Sequence, residues 1–338
     1  MRILVLSHHG CIRVMKQGFA LMKNHDVHFM QNSVTDEAFL IPMKECSFYT
    51  TRETLINKLM GMPDFDVIHV HNEPDWLVSA AKAAKPDTPV VYDCHDLDSQ
   101  RDGEEANPDE IEAMKIADAY IFPSQSYYEG AIRYHSLPTR KPKAVVYSMC
   151  NQDMMSIGPL PRVRGIAYEG GIAAPVEGYN YTRYPLYRDH RALVEEMYYA
   201  NIPIALYGVS DIFMSQYRTI GAMCFPPMPY VQMIRELSRW VWGFVGCADR
   251  CRTMEGSMPN KLFEYVAAGI PVIACNSPEA QKYVIDNGLG VSVDSISDIP
   301  GVYDSHEEWR EKVKEKREQF IMEREIDKVE RIYRGVMG

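Results

Sequence analysis

A lysine and a glutamate stand one helical turn apart in the segment 258–275, MPNKLFEYVAAGIPVIAC. The pattern predicts a short helix over 259–268, with Pro259 in its first turn and Gly269 at its end, followed by a buried strand. Free backbone N–H groups and the helix dipole favour an anion at the start of such a helix, and Lys261 adds a full positive charge. The segment therefore predicts a phosphate site, with an intrahelical Lys261–Glu264 ion pair as the alternative.

Glu264 extends this prediction from a phosphate to a sugar. It lies about 4.5 Å beyond Lys261 along the helix axis, at ~1.5 Å per residue. That step suits a diphosphate followed by its ribose, whose hydroxyls donate hydrogen bonds to a carboxylate. The polar stretch Glu255, Gly256 and Ser257, read as a flexible loop before Met258, is able to wrap a phosphate.

Histidines and aspartates form a second group at the predicted carboxyl ends of strands. They are His8, His9, His69, His71, His95, Asp93, Asp96 and Asp98. Such side chains can bind sugar hydroxyls or assemble a divalent-metal site, and Asp96-Leu97-Asp98 mimics a metal-binding DxD. We predict no metal and no cofactor, with the metal site kept as the alternative.

The elements that position these residues are short apolar runs that alternate with helical patterns. This α/β alternation predicts right-handed units and parallel sheets, and about twelve strands favour two sheets of about six. A segment without periodicity, 151–165, separates them. The predicted strands are 2–7, 26–30, 66–71, 89–95, 119–124, 144–148, 165–170, 203–209, 221–226, 242–247, 271–275 and 290–294.

We accordingly predict two Rossmann-like domains, 1–155 and 156–315, and a C-terminal helix, 316–338, that packs back on the first domain. Ligands of such domains bind at the carboxyl ends of the strands. The sequence therefore predicts a ligand in a cleft between the two domains.

MPNKLFEYVAAGIPVIA resembles the signature of GT-B glycosyltransferases, especially the large retaining family 4 type that includes glycogen-synthase-like enzymes. DVIHVHN, PVVYDCHDL, ADAYIFPS and GIAYEGGI follow in the order of that family, so the resemblance covers nearly the whole chain. It implies a GT-B fold, in which two doubly wound parallel-sheet domains face each other across a cleft.

The resemblance also implies roles for single residues. Lys261 would hold the diphosphate and Glu264 the ribose, while His95 and Glu255 would orient the transferred sugar. The further donor-binding candidates are Gly10, Gly170, Gly171, Arg188, Tyr230, Gly256, Ser257 and Met258. Arg183 and Arg191 compete with Arg188 for the diphosphate, and Glu255 and Glu264 stand one residue further apart than the family's two glutamates.

The implied activity is transfer of a hexosyl group from a nucleotide-diphosphate sugar to a hydroxyl of a glycan, a lipid-linked or a small-molecule acceptor, with retention and without metal. UDP is the expected nucleotide, although Tyr230 does not distinguish uridine from guanosine or adenosine. Two alternatives stay open: a sugar-nucleotide 2-epimerase of the same fold and an inactive nucleotide-sugar-binding subunit.

Composition limits the partners and the location. A net charge of −10 argues against nucleic acid. Eight cysteines spread singly along the chain predict reduced thiols in a cytoplasmic protein. No apolar stretch approaches the ~20 residues of a transmembrane helix, so any membrane contact is expected to be peripheral.

Overall fold

The protein is described here by a computed structural model, over residues 1–32, 46–101, 107–138, 140–156, 160–175 and 186–338. The chain forms two compact units. Unit 1 comprises Met1–Asn151 and Met322–Gly338, and unit 2 comprises Gln152–Ile321. These bounds differ by a few residues from the predicted borders at 155 and 315, which stay predictions.

Unit 1 begins with alternating strands and helices. Its strands are β1 (Arg2–Leu6), β2 (Asp26–Gln31), β3 (Cys46–Phe48), β4 (Val67–His71), β5 (Val90–Asp93), β6 (Ala119–Phe122) and β7 (Lys143–Val145). Its helices are α1 (Ile12–Met22), α2 (Arg52–Gly61), α3 (Trp76–Ala84), α4 (Asp98–Arg101), α5 (Pro108–Ile116) and α6 (Gln125–His135).

All seven strands of unit 1 pair in parallel, in the order β3-β2-β1-β4-β5-β6-β7. The order reverses between β1 and β4, which is where doubly wound sheets bind ligands at their carboxyl ends. Buried apolar clusters cover both faces of the sheet, as the continuous apolar strands require.

Unit 2 repeats this plan. Its strands are β8 (Val163–Glu169), β9 (Ile204–Tyr207), β10 (Met223–Phe225), β11 (Trp240–Gly246), β12 (Val272–Cys275) and β13 (Gly290–Val293). Its helices are α7 (Arg191–Tyr199), α8 (Asp211–Thr219), α9 (Tyr230–Leu237), α10 (Arg252–Glu255), α11 (Asn260–Ala268), α12 (Pro278–Asn287), α13 (Ile299–Val302) and α14 (His306–Lys316).

The six strands of unit 2 are also parallel, in the order β10-β9-β8-β11-β12-β13. This is the 3-2-1-4-5-6 order of a dinucleotide-binding sheet. Its reversal lies between β8 and β11, so the segments after these two strands meet at one edge of the sheet. The prediction of two Rossmann-like parallel sheets is confirmed.

The last helix, α15 (Met322–Met337), returns to unit 1 and packs against α1. It buries an apolar stripe of Met322, Ile326, Val329, Ile332 and Tyr333. Among the described residues, no helix combines the length and the hydropathy needed to cross a membrane.

Two local predictions need correction. β3 was not predicted, because its sequence Cys-Ser-Phe is too short and too polar to stand out as a strand at the sheet edge. Pro259 is the extended residue before α11 rather than part of its first turn, whereas Gly269 ends the helix in the left-handed conformation, with a φ of 73°.

Candidate functional site

Two cations lie against a pair of glycines where β8 ends. A Cβ atom on Gly170 would lie 3.1 Å from Nζ of Lys261, and one on Gly171 would lie 3.0 Å from Cζ of Arg188. The bare backbone of these glycines therefore gives the two side chains their positions. A turn flanked by two positive charges at the carboxyl edge of a parallel sheet can bind an anion.

Lys261 is held in this position by Tyr168. Its Nζ donates to the Tyr168 hydroxyl at 3.2 Å and lies 4.5 Å from the centre of the ring. Burial opposes the charged amine, but Tyr168 and the nearby Glu169 outweigh it and raise the pKa of Lys261 above its ordinary value. Lys261 is thus a full positive charge at neutral pH.

The structure separates the competing arginines. Arg191 binds Asp189, with Nη2–Oδ2 at 2.6 Å and Nε–Oδ1 at 3.0 Å. Arg183 lies outside the described residues. Of the two candidates among the described residues, Arg188 is the one at the Gly170–Gly171 turn, and its role toward a diphosphate stays a prediction.

Glu264 and Tyr230 form a buried pair. The Tyr230 hydroxyl donates to Oε1 of Glu264 at 3.0 Å, and these side chains are 5% and 2% exposed. The role of Tyr230 in binding the donor stays a prediction. Its hydroxyl contacts the Glu264 carboxylate, which it can orient.

Tyr265 fixes α11 to the sheet. Its hydroxyl accepts the Glu169 backbone N–H at 3.0 Å and donates to the Phe244 carbonyl at 3.2 Å, which ties the helix to β8 and β11. A Cβ on Gly243 would lie 2.2 Å from the Tyr265 ring, so the ring packs directly on the β11 backbone. This packing sets the position of Lys261 and Glu264.

The segment before α11 differs from the predicted loop. Glu255 is the exposed last residue of α10, a single turn in which Met254 N–H donates to the Cys251 carbonyl at 3.1 Å. The irregular part is confined to 256–259, with Met258 buried. This helical turn could not be predicted, because its short polar sequence has no apolar periodicity. The sugar-orienting role of Glu255 stays a prediction.

In unit 1, Asp93 is the centre of the predicted histidine group. Nε of Arg13 binds its two oxygens at 2.9 and 3.1 Å, and the Gln17 amide donates to one of them at 2.7 Å. Burial alone would raise the pKa of Asp93, but Arg13 and the nearby histidines hold it well below its ordinary value.

His69, His71 and Asp93 meet the spacing of a metal site, since ligand atoms of all three lie within 4.8 Å of one another. However, Arg13 and Gln17 already bind both carboxylate oxygens. Burial and His69 lower the pKa of His71 well below its ordinary value, and the two imidazoles stack at 4.5 Å. Arg13 and Asp93 thus form a buried ion pair within this group, and the absence of a metal stays a prediction.

His95 lies at the rim of this network, with its Nδ1 3.9 Å from Asp93 and its backbone N–H bonded to Asn72 at 2.9 Å. Burial opposes its charged form, but the Cys11 sulfur, as a thiolate, and the carboxylates of Asp96 and Asp93 raise the pKa of His95 to about 9. His95 is thus protonated at neutral pH. Cys11 follows the predicted loop residue Gly10, where an added Cβ would lie 3.2 Å from the Gln31 amide nitrogen.

His190 was not predicted and lies beside Lys261. Its buried ring lies 3.9 Å from the Tyr168 ring, and its backbone N–H donates to the Tyr217 hydroxyl at 2.9 Å. Burial and the charge of Lys261 lower the pKa of His190 to about 3. The imidazole therefore stays neutral and supports the ring that holds Lys261.

Comparisons with known proteins match both units of the chain. The model of Glycosyltransferase Family 4 matches residues 24–147, within unit 1, and the model of the Glucosyltransferase 3-like C-terminal domain matches residues 188–321, within unit 2. A comparison with curated proteins finds no match.

Three solved structures share the fold over almost the whole chain. HepE of Anabaena in complex with UDP is 13% identical, with 97% of this chain and 99% of HepE covered at a TM-score of 0.68. An alpha-glucosyltransferase in complex with UDP is 12% identical, with 95% and 96% covered at 0.67. Sucrose-phosphate synthase from Thermosynechococcus elongatus is 14% identical, with 99% and 98% covered at 0.66.

Proposed function

We propose that this chain, which belongs to the GT-B glycosyltransferases, transfers a hexosyl group from a UDP-sugar to a hydroxyl acceptor. Its transferase class follows from the two family models and the fold. The choice of UDP is supported by similar structures, since HepE is described in complex with UDP-glucose and the alpha-glucosyltransferase in complex with UDP.

The observation that carries the proposal is the cation pair at the Gly170–Gly171 turn. When a glycosidic bond to a nucleotide diphosphate breaks, negative charge develops on the leaving diphosphate. Positive groups already in place stabilise that charge without reorganisation. Lys261 and Arg188 would fill this role, and the N–H groups of Gly256, Ser257 and Met258 would add to it.

Glu264 completes the donor site. A nucleotide with its diphosphate at Lys261 presents its ribose further along α11, where the carboxylate can accept both ribose hydroxyls. Tyr230 holds that carboxylate in place, so the ribose would meet a preorganised acceptor.

We assign the acceptor side to the loops of unit 1. His95, cationic at neutral pH, and Glu255 would orient the sugar. Retention of configuration is proposed from the resemblance to the retaining family, and metal independence from the two cations. Eight free thiols support a cytoplasmic location.

A labelled donor panel tests the proposal. UDP-, GDP- and ADP-sugars are incubated with acceptor mixtures, using wild type, Lys261→Ala and the control Lys282→Ala, an exposed α12 lysine paired with Asp286 at 2.5 Å. We expect transfer from a UDP-sugar by wild type and the control. Lys261→Ala should lose about 10²–10³-fold in kcat. Equal activity in all three proteins would refute the assignment.

The same assay separates the alternatives. A 2-epimerase would convert the labelled donor without any acceptor. An inactive subunit would bind UDP but form no product with any donor. Either result would replace transferase activity as the function of this chain.

A further inference from the structure

Cys247 and Cys251 lie side by side at the carboxyl end of β11. Their sulfur atoms are 3.8 Å apart, and the Cys247 thiol can donate a hydrogen bond to the Cys251 sulfur. The sequence shows only an isolated CxxxC. We propose that this pair is a redox-active dithiol, an oxidation site that a hydroperoxide closes to a disulfide, and that closure moves the segment leading into α11.

The two thiols differ in a way that assigns their roles. Cys251 is partly exposed, whereas Cys247 is 2% exposed. The hydrogen bond from Cys247 lowers the pKa of Cys251 to about 7, and the same contact raises the pKa of Cys247. Since the thiolate is the nucleophile, Cys251 would react first and the buried Cys247 would resolve it.

The chemistry balances with a hydroperoxide as the oxidant. The Cys251 thiolate attacks a peroxide oxygen, the O–O bond breaks, and hydroxide leaves, taking up a proton as water. The product is a sulfenic acid. The Cys247 sulfur then attacks the Cys251 sulfur, the S–O bond breaks, and a second water leaves with the thiol proton. Two thiols lose two electrons and two protons, and hydrogen peroxide becomes two waters.

Closing the bond requires movement on one side of the pair. The sulfurs must approach from 3.8 Å to about 2 Å. The Asn276 amide holds the Cys247 carbonyl at 3.2 Å and the Ala248 carbonyl at 2.7 Å, which anchors the β11 side. The displacement therefore falls on Cys251 and α10. That helix runs directly into 256–259 and the start of α11.

Mass spectrometry tests the dithiol itself. Reduced full-length protein is treated with hydrogen peroxide, remaining thiols are alkylated, and digested peptides are analysed. The variants are Cys247→Ser, Cys251→Ser and the control Cys46→Ser, which removes a partly exposed thiol whose pKa burial raises. We expect a Cys247–Cys251 link in wild type and the control. Cys247→Ser should instead accumulate sulfenic or higher acids at Cys251.

Any one of three results would overturn the dithiol. The first is the absence of the link, with Cys251 proceeding to sulfinic acid in wild type as it does in Cys247→Ser. The second is reaction of Cys251 no faster than Cys46. The third is a link from Cys247 to Cys275 in place of the proposed pair.

Amide hydrogen exchange tests the movement. Oxidation should change exchange across 251–259 in wild type, with recovery under dithiothreitol, and leave Cys247→Ser without a reversible change. Unchanged exchange in a linked protein would overturn the coupling to α11.

The effect of oxidation on UDP binding rests on the proposed function: oxidation should weaken UDP binding several-fold. If reduced protein binds no UDP, the proposed function fails while the dithiol is still judged by mass and exchange.

Discussion

Tyr230 and Glu264 illustrate what single residues contribute to the proposed donor site. The hydrogen bond between them joins positions 34 residues apart, and both side chains are buried. Buried charged groups need such partners, because an unsatisfied carboxylate in the interior is costly. The sequence identifies both residues as donor-binding candidates, but their contact could not be predicted, since it arises only when α9 and α11 pack together.

Tyr230→Phe should weaken UDP binding by about ten-fold, which is the ~1.4 kcal/mol expected for loss of a hydrogen bond to a charged group. The ring remains, so the fold should be retained. Titration calorimetry with UDP measures the effect, and Tyr199→Phe, at a tyrosine that is 80% exposed, is the control. Equal affinity in both variants would show that Tyr230 does not orient Glu264.

The lowered pKa of His190 predicts that the stability of the folded protein depends on pH. Its pKa is about 3 in the folded protein, against 6.5 for an ordinary histidine. The unfolded chain therefore binds a proton that the folded chain does not. The free energy of unfolding therefore does not depend on His190 above about pH 6.5 and decreases as the pH falls toward 3. At pH 5 the decrease is about 2 kcal/mol.

Urea unfolding of wild type and His190→Phe at pH 7 and pH 5 measures the contribution of His190 to the free energy of unfolding. The variant should lose less stability than wild type between the two pH values, because the titrating group is gone. The same loss in both proteins would show that His190 does not carry the pH dependence.

At the scale of elements, the sequence is most informative about strands and the helix α11. The twelve predicted strands all form, and the inner ones, such as β4, β5, β11 and β12, are continuous apolar runs that the parallel sheet buries on both faces. β3 and α10 could not be predicted, since the short edge strand and the single polar turn have no periodic pattern. The resemblance identified Gly170 and Gly171, but it could not predict that Lys261 and Arg188 lie against them, because this proximity arises only when the chain folds around the end of β8.

The glycine turn after β8 can be tested by adding one methyl group. In Gly171→Ala the new Cβ would lie 3.0 Å from three atoms of the Arg188 side chain, which must move away. The flexible side chain can do so at small cost, so we expect near-normal stability and about ten-fold weaker UDP binding, or ~1.4 kcal/mol.

Gly61→Ala is the matched control for this substitution. Gly61 ends α2, and a Cβ there would meet nothing within 4 Å. The variant should gain roughly 0.5–1 kcal/mol of stability, as alanine replaces glycine in a helix, with unchanged UDP affinity. If Gly171→Ala bound UDP as well as Gly61→Ala does, the turn would not position Arg188.

At the scale of the whole molecule, the sequence predicts the fold and the class of enzyme, whereas the proposed anion site is seen only in the folded chain. The order of the strands and the family motifs predict two Rossmann-like units and a sugar transferase. Net charge alone would not suggest an anion ligand, because the chain carries −10 overall. The proposed anion site depends on two local cations that folding brings from positions 188 and 261 to one turn. The acceptor has no comparable signature in the sequence.

Calorimetric titration of UDP into wild type, Arg188→Ala and Arg191→Ala tests this placement most directly. The two arginines lie three residues apart, but one lies against Gly171 and the other binds Asp189. We expect wild type and Arg191→Ala to bind UDP alike, and Arg188→Ala to bind at least about ten-fold more weakly. Failure of wild type to bind UDP, or equal affinity in both variants, would contradict a diphosphate held at the Gly170–Gly171 turn.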